Sequence, residues 1–451
     1  MIGLKKEFAP SSLTEWVEQL KKDLKGDEFS KLERNDLIEE LAYPTFAHQE
    51  SREISEQTPG KFPFTRGLKT KDNNWNNGSY LHVGNESSAN KKALEVLMKG
   101  ADLLIFDVGS IKSVDWKTLL NGIELQYIQS QFLISSHEHY KSLRSFLNGE
   151  IPSYITLNID TIGQETDPLL TNKLIEDLKN RQFASLYVDG ASIQQTGATT
   201  WQEIGFCLSS GHEYLSKLIE NGLSIDEAAA CIHFSIGTGS NYFYEIAKIR
   251  ALKQLWAALI KQYNPQHNCS YNCRITAHSG FMNKSLIDPY TNLLRQSTEA
   301  MSAASGGVDA IVIHPYDSCS VHGASALAER MALNISLILK EESYFDAVID
   351  PLGGSYAMEE LTDLIAEKGW SCFRKLEELG GMSSSAAIDD LCKSISVKAE
   401  MRIEEMRSGK KILIGINKFD NPAPEKNTFK ELSSYLGLPK LILEQTLISV
   451  Q

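Results

Sequence analysis

No run of apolar residues in this chain approaches the roughly 18 that a bilayer-spanning helix needs. The opening stretch, Met1 to Ser30, is too charged for the apolar heart of a secretory signal. Both absences predict a cytoplasmic protein with no membrane partner. Stretches dense in Lys and Arg are missing too, and the formal net charge is −13. That argues against nucleic acid and anionic membrane surfaces as partners, because binding them takes a basic field that displaces counterions. Cysteine is sparse: there are seven, scattered, and the close pair Cys269/Cys273 has no second pair to complete a zinc site. All seven are expected to be reduced thiols, and no metal site is expected. Neither a His-Glu-x-x-His helix nor a Gly-x-Ser-x-Gly elbow occurs, so metalloprotease and α/β-hydrolase chemistries have no support.

What is present is ample core material, since 42% of 451 residues are hydrophobic, enough for one to three domains. Near the start, Leu13, Trp16, Val17, Leu20 and Leu24 recur at helical spacing behind a capping box of Ser12 and Glu15, which predicts an amphipathic helix needing a partner face. From Ala42 to Gly84 the periodicity fades into Pro, Gly, Asn and Thr. This reads as extended chain laid across another body or as a local loop on its own barrel. From Lys91 onward, short apolar runs alternate with helical patterns, the signature of a parallel sheet wrapped by helices. Eight runs are assigned as strands: Leu103–Val108, Ile123–Ile128, Tyr154–Ile159, Ser185–Val188, Cys231–Ser235, Arg274–Ala277, Ala310–Ile313 and Ala347–Ile349. Eight parallel strands with right-handed crossovers predict a (β/α)8 TIM barrel.

In the span Tyr242 to Gln262, the residues Phe243, Ile246, Ile249, Leu252, Leu255 and Leu259 form an apolar stripe to bury on the barrel. The helical stretch Met358 to Arg407 breaks at Gly380-Gly381, which predicts two helices. The remainder after Gly415 is too short for another cofactor-sized domain.

Function in such a barrel sits in the loops after the strands. FSIGTGSNYFYE, Phe234 to Glu245, is a strand, a Gly-x-Gly turn and a helix start, which could offer backbone N–H groups to an anion; with Tyr242 in place of a third glycine it reads first as a tight βα turn. His137/His139, His278 and His314/His322 fall in loops predicted to follow strands, without any recognisable partner spacing. The pair Glu359/Glu360 stands at a helix start, where the macrodipole explains it.

Four longer strings stand out: GASIQQTGAT (Gly190–Thr199), GTGSNYFYEIAKIRALKQLW (Gly237–Trp256), DPYTNLLRQSTEAMSAASGG (Asp288–Gly307) and DPLGGSYAMEELTDLIAEKGW (Asp350–Trp370). In this order, between PFTRG at Pro63–Gly67 and GINKF at Gly415–Phe419, they resemble the substrate barrel of methylmalonyl-CoA mutase. LKGDEF, Leu24 to Phe29, resembles the arm of that family's small chains, which embraces the large partner.

The resemblance implies interconversion of methylmalonyl-CoA and succinyl-CoA by a radical from adenosylcobalamin. It also implies a cobalamin domain with an Asp-x-His-x-x-Gly loop, a barrel histidine on the migrating thioester oxygen, and a tyrosine between cofactor and substrate. None of the ten histidines here has glycine at the third position after it, so no C-terminal cobalamin-binding domain is expected. Ser192 aligns with the catalytic histidine, with Gln194, Gly197 and Ala198 kept around it. Tyr80 aligns with the tyrosine and reads as a core residue, while Gly78 replaces the neighbouring arginine. In the region Ile151 to Leu186 the family carries an arginine for the substrate carboxylate, and SYITLNIDTIGQETDPLL, Ser153 to Leu170, offers no counterpart. The loop Arg274 to Ser285 is one residue shorter than the pattern that grips the pantetheine arm, leaving Arg274 as its survivor.

The expectation is an N-terminal arm (1–45), a mutase-type barrel (46–416) and a tail (417–451). No catalytic residue is expected, the pocket positions Tyr80, Gly78, Ser192 and Gln194 being degenerate. The chain would be a non-catalytic small subunit whose homologous large partner holds the adenosylcobalamin. The alternatives are a mutase barrel working with a separate cobalamin-domain protein, and a CoA-ester binding module.

Overall fold

The computed structural model describes residues 11–25, 32–44, 46–50, 57–134, 136–147, 155–158, 176, 186–421 and 427–448. Helix α1 (Leu13–Asp23) carries the predicted Ser12/Glu15 capping box, and none of its residues is buried. Its Trp16 ring packs on Phe46, with centroids 4.1 Å apart. A hairpin of β1 (Glu33–Asp36) and β2 (Leu41–Pro44) follows. The barrel then runs β3 (Asn76–His82), α2 (Glu86–Met98), β4 (Leu103–Asp107), α3 (Trp116–Leu119), β5 (Gln129–Leu133), α4 (His137–Phe146), β6 (Ile155–Asn158) and β7 (Leu186–Asp189). After β7 come α5 (Gly190–Gln195), α6 (Thr200–Glu220), α7 (Ile225–Ala230), β8 (Ile232–Thr238), α8 (Tyr242–Lys261), β9 (Arg274–Ser279), α9 (Thr291–Gly306) and β10 (Ala310–Val312). The last helices are α10 (Ala326–Leu337), α11 (Tyr356–Glu378), α12 (Ser385–Arg407) and α13 (Gln445–Ile448).

Strands β3 to β10 form one eight-stranded sheet, ordered β6-β5-β4-β3-β10-β9-β8-β7. Every adjacent pair is parallel. The outermost strands, β6 and β7, are consecutive in the chain and lie against each other, so the sheet curls round on itself as a TIM-type barrel.

Two of the eight strand assignments are corrected. Ile123–Ile128 is turn, and the strand begins one residue later at Gln129. The true strand, QSQFL, buries Ser130 and Gln131 and so has no apolar run to announce it. Ala347–Ile349 is no strand: a short 3₁₀ turn, Phe345–Ala347, runs into loop. The missing strand is β3, NNGSYLH, within the stretch assigned to extended chain; it lacks β-branched residues yet pairs with both β4 and β10.

Side-chain alternation separates two layers. Leu104, Phe106 and Ile311 join the large core beneath the helices. The opposite phase, Leu103, Ile105, Ala310 and Val312, forms a separate cluster with Tyr80 and Leu133 inside the barrel. The break at Gly380-Gly381 is as predicted, both residues having positive φ. Helix α8 departs from a simple amphipathic stripe. Phe243 is 55% exposed, whereas Lys248 and Arg250 are fully buried, because α6 and α11 cover the face that would otherwise meet solvent. Arg250 pairs there with Asp350 and Glu359. Glu359 therefore does more than face a helix dipole.

Candidate functional site

A cavity of about 950 Å³ opens at the C-terminal ends of the strands, the end where such barrels hold their chemistry. Tyr80 from β3, Asp107 from β4, Asp189 from β7 and His278 from β9 face it, with His314 just beyond β10. Chain from 428 to 443 crosses above. Val321 N–H donates to Thr428 O (2.9 Å), Lys430 N–H to Cys319 O (2.8 Å) and Leu441 N–H to Gln195 O (2.7 Å). Lys430, Tyr435 and Lys440 of this crossing segment line the cavity roof.

Tyr80, His278 and His314 inside the cavity are held neutral. Tyr80 Oη donates to Asp107 Oδ2 at 2.7 Å. Burial, reinforced by the Asp107 charge, keeps the phenol protonated far above its ordinary range. The His278 and His314 rings stack at 5.6 Å, and Phe281 lies 4.8 Å from His314. Burial lowers His278 to about 4; Asp189 opposes this and Lys440 adds to it. Burial, then the neighbouring His278 and the lysines around it, holds His314 well below its ordinary value. The mouth therefore contains two neutral imidazoles at pH 7.

A pH signature follows. Below pH 6.5 the unfolded chain takes up a proton at His278 that the folded chain refuses. The stabilisation is thus complete above about pH 6.5 and is lost as pH falls toward 4, about 3 kcal/mol in all. Glu203, raised to about 7 by burial, works in the opposite direction, so the comparison must be with a His278→Gln variant. The urea midpoint of the wild type is expected to fall more steeply between pH 7 and pH 5 than that of the variant; parallel profiles would contradict the assignment.

Ser192 lies on α5, whose Asp189 N-cap accepts its N–H at 3.1 Å; the residue faces the cavity, and Ser235 Oγ shares Asp189 at 3.3 Å. Gly78 also lines the cavity, yet a Cβ there would stand 2.6 Å from Val312 Cγ2 and 3.2 Å from Leu103 Cδ2. The interior cluster has taken the room a side chain would need.

Gln194 is not brought to Ser192's side. It points into a second cavity of about 370 Å³, between the hairpin and the start of α8. Arg274 is at the opposite end of the barrel, in a cavity of about 230 Å³ with Gln129, His233 and Asp309. Between that end and the Ser192 cavity stand the interior cluster and His233, whose Nε2 is 2.8 Å from Thr276 Oγ1. Of the five histidines singled out, His278 and His314 meet in the main cavity, whereas His137, His139 and His322 do not line it. All seven cysteines are free thiols. Most of 151–186, where a carboxylate-binding arginine was sought, and Gly26 to Phe29 of the arm lie outside the described residues.

The Gly-x-Gly turn has its own occupant. Gly237 N–H donates to Glu203 Oε1 at 2.8 Å, so a buried carboxylate of α6 fills the place an anion would take. Lys248 completes the group, 2.7 Å from Glu203 and 2.5 Å from Glu245. Sequence reading missed this cluster, as charged residues on a helix read as its solvated face. A usable signal is the position of Lys248, two residues from Ile246 and one from Ile249, inside the apolar stripe.

The family model for methylmalonyl-CoA mutase matches residues 176–435. The methylmalonyl-CoA mutase small subunit of Porphyromonas gingivalis is 33% identical over 92% of this chain and 71% of its own length. The chain belongs to the methylmalonyl-CoA mutase family. The mutase of Cereibacter sphaeroides is 27% identical over 90% of the chain, and the human mitochondrial mutase 26% over 90%. The chain spans only 64% and 60% of the lengths of these two relatives. No helix among the described residues is long and apolar enough to cross a membrane.

Proposed function

We propose that this chain is the non-catalytic small subunit of an adenosylcobalamin-dependent methylmalonyl-CoA mutase. A homologous large subunit would hold the cofactor and interconvert methylmalonyl-CoA and succinyl-CoA in the cytoplasm. Residues 46–416 would form the pairing barrel, with 1–45 as an arm and 417–451 as a tail. The observation that carries the reading is the closed interior: Leu103 and Val312 fill the space beside Gly78 where the catalytic pattern has an arginine. Ser192 in the histidine's place adds to it, since a hydroxyl has neither the reach nor the second nitrogen of an imidazole.

Adenosylcobalamin supplies a carbon-centred radical when its cobalt–carbon bond breaks. The mouth of this chain does not fit that group, because Lys430, Tyr435 and Lys440 already line the cavity there. No step is therefore assigned to cobalamin here. In a complex reconstituted with the large subunit, Ser192→Ala is expected to leave turnover within twofold of the unmodified complex. A tenfold loss would place catalysis in this chain and favour a barrel served by a separate cobalamin-domain protein.

One observation favours the reading of a CoA-ester binding module. At the far end of the barrel the Arg274 guanidinium pairs with no carboxylate among the described residues, and His233 Nδ1 is buried without a partner. Saturable binding of a CoA ester to the isolated chain, lost in Arg274→Met, would support that alternative.

A further inference from the structure

At the N-terminal ends of β9 and β10, outside the barrel interior, a cavity of about 230 Å³ separates the end of α9 from the segment Phe64 to Lys69. A buried ammonium group, Lys253, and a half-buried one, Lys69, line it. Lys69 Nζ donates to Asn74 O (2.6 Å) and Val308 O (2.7 Å). Lys253 Nζ donates to Gly306 O (2.9 Å) and Gly307 O (2.7 Å). An ammonium has three N–H groups, so each keeps one unused by these bonds. Neither lysine forms an ion pair among the described residues, whereas Arg66, the third cation of the wall, is answered by Asp350 at 3.0 Å.

The wall also holds acceptors without donors. Asn73 Oδ1 is buried and unpartnered. Its amide cannot be turned round, because Nδ2 donates to Ala304 O (2.7 Å) and Phe345 O (3.3 Å). Asp350 Oδ1 is also buried without a partner. Capping the C-terminus of α9 accounts for the bonds of Lys253 to Gly306 O and Gly307 O. It does not account for a second, half-buried positive charge near the first, nor for the empty acceptors, both of which cost stability unless something answers them.

We propose that this cavity binds a small oxyanion bearing its own hydrogen, of the hydrogen phosphate or bicarbonate class. Its oxygens would accept the spare protons of Lys69 and Lys253, and its hydroxyl would donate to Asn73 Oδ1. The space holds such an ion with several waters, each of which takes about 30 Å³. The electrostatics agree. Burial, then the charge of Lys69, lowers Lys253 to about 8 against the pull of Asp309 and Asp350. Burial lowers Lys69 as well, with Asp309 and Asp72 opposing and Lys340 adding. An anion between the two lysines would relieve both.

The test is thermal unfolding of the full chain at fixed pH 7.5 and fixed ionic strength, with chloride exchanged stepwise for phosphate, bicarbonate or sulfate. Phosphate or bicarbonate is expected to raise the midpoint saturably, and the two titrations show which of them binds more tightly. Sulfate, which carries no hydrogen at this pH, is expected to bind at least tenfold more weakly. Lys69→Gln and Asn73→Asp should each weaken the effect at least tenfold, and the ³¹P line of phosphate should broaden with the wild type but not with either variant. If one variant does not fold, the other and the wild-type series still decide. Equal midpoints in phosphate, bicarbonate and chloride, or full retention of the effect in a folded variant, would overturn the proposal.

Discussion

Replacing Lys248 with methionine is expected to cost the folded chain about 3–5 kcal/mol at pH 7.5, because it leaves two buried carboxylates without their cation. Lys248 is 1% exposed and lies between Glu203 and Glu245 while also donating to Gly237 O. The two carboxylates outweigh burial and hold its pKa above the ordinary lysine value. Burial has already raised Glu203 to about 7, and removing the lysine raises it further. Acid supplies the missing positive charge as a proton, so the loss should narrow between pH 7.5 and pH 5.5. A second change, Glu203→Gln, should restore much of the stability. Denaturant unfolding of the two variants at both pH values checks this, and a loss below about 1 kcal/mol at pH 7.5 would mean that water already reaches the cluster. The effect bears on the mouth because Glu203 and Lys248 bind the N–H and the carbonyl of Gly237, fixing the turn that follows β8.

Gly78→Ala is expected to destabilise the chain by about 1–3 kcal/mol, since one methyl group must enter a wall already filled by Val312 and Leu103. Val312→Ala leaves a cavity of its own and also destabilises. Combined, the two changes should cost less than their sum, because each supplies the volume the other lacks. Additive costs would show that the barrel interior has slack near Gly78, and the argument from a closed interior would fail. Arginine at 78 should be tolerated worse than alanine in both backgrounds.

Six of the eight assigned strands were legible because short apolar or β-branched runs mark them; in β4 one phase meets the helices and the other fills the barrel, as Leu103 to Phe106 do. The two misplacements have the same cause. Strand β3 buries Asn77 on its helix side, against Leu333 O of α10, and β5 buries Gln131, so NNGSYLH and QSQFL look like loop when read by hydropathy alone. The buried charges were equally hidden, since KIRALK in α8 does not reveal that α6 and α11 close over Lys248 and Arg250.

At the candidate site, Ser192 and Gly78 were picked out by resemblance, and the structure places both on the main cavity. Gln194, two residues from Ser192, faces the second cavity instead, because successive residues of a helix leave in different directions. The roof from Lys430 to Lys440 had no signal in the sequence: the segment is held by isolated backbone bonds to the loop after β10, to the end of α5 and to the loop after β9, and such pairing leaves no periodic pattern.

The central claim is that this chain supports a catalytic partner without catalysing. Its most direct test is co-expression with the large mutase subunit, followed by size-exclusion chromatography with light scattering and a mutase assay on every fraction. The account predicts a one-to-one complex whose turnover requires the large subunit, with no turnover by this chain supplied with adenosylcobalamin alone. Turnover by this chain in the absence of that partner would contradict it.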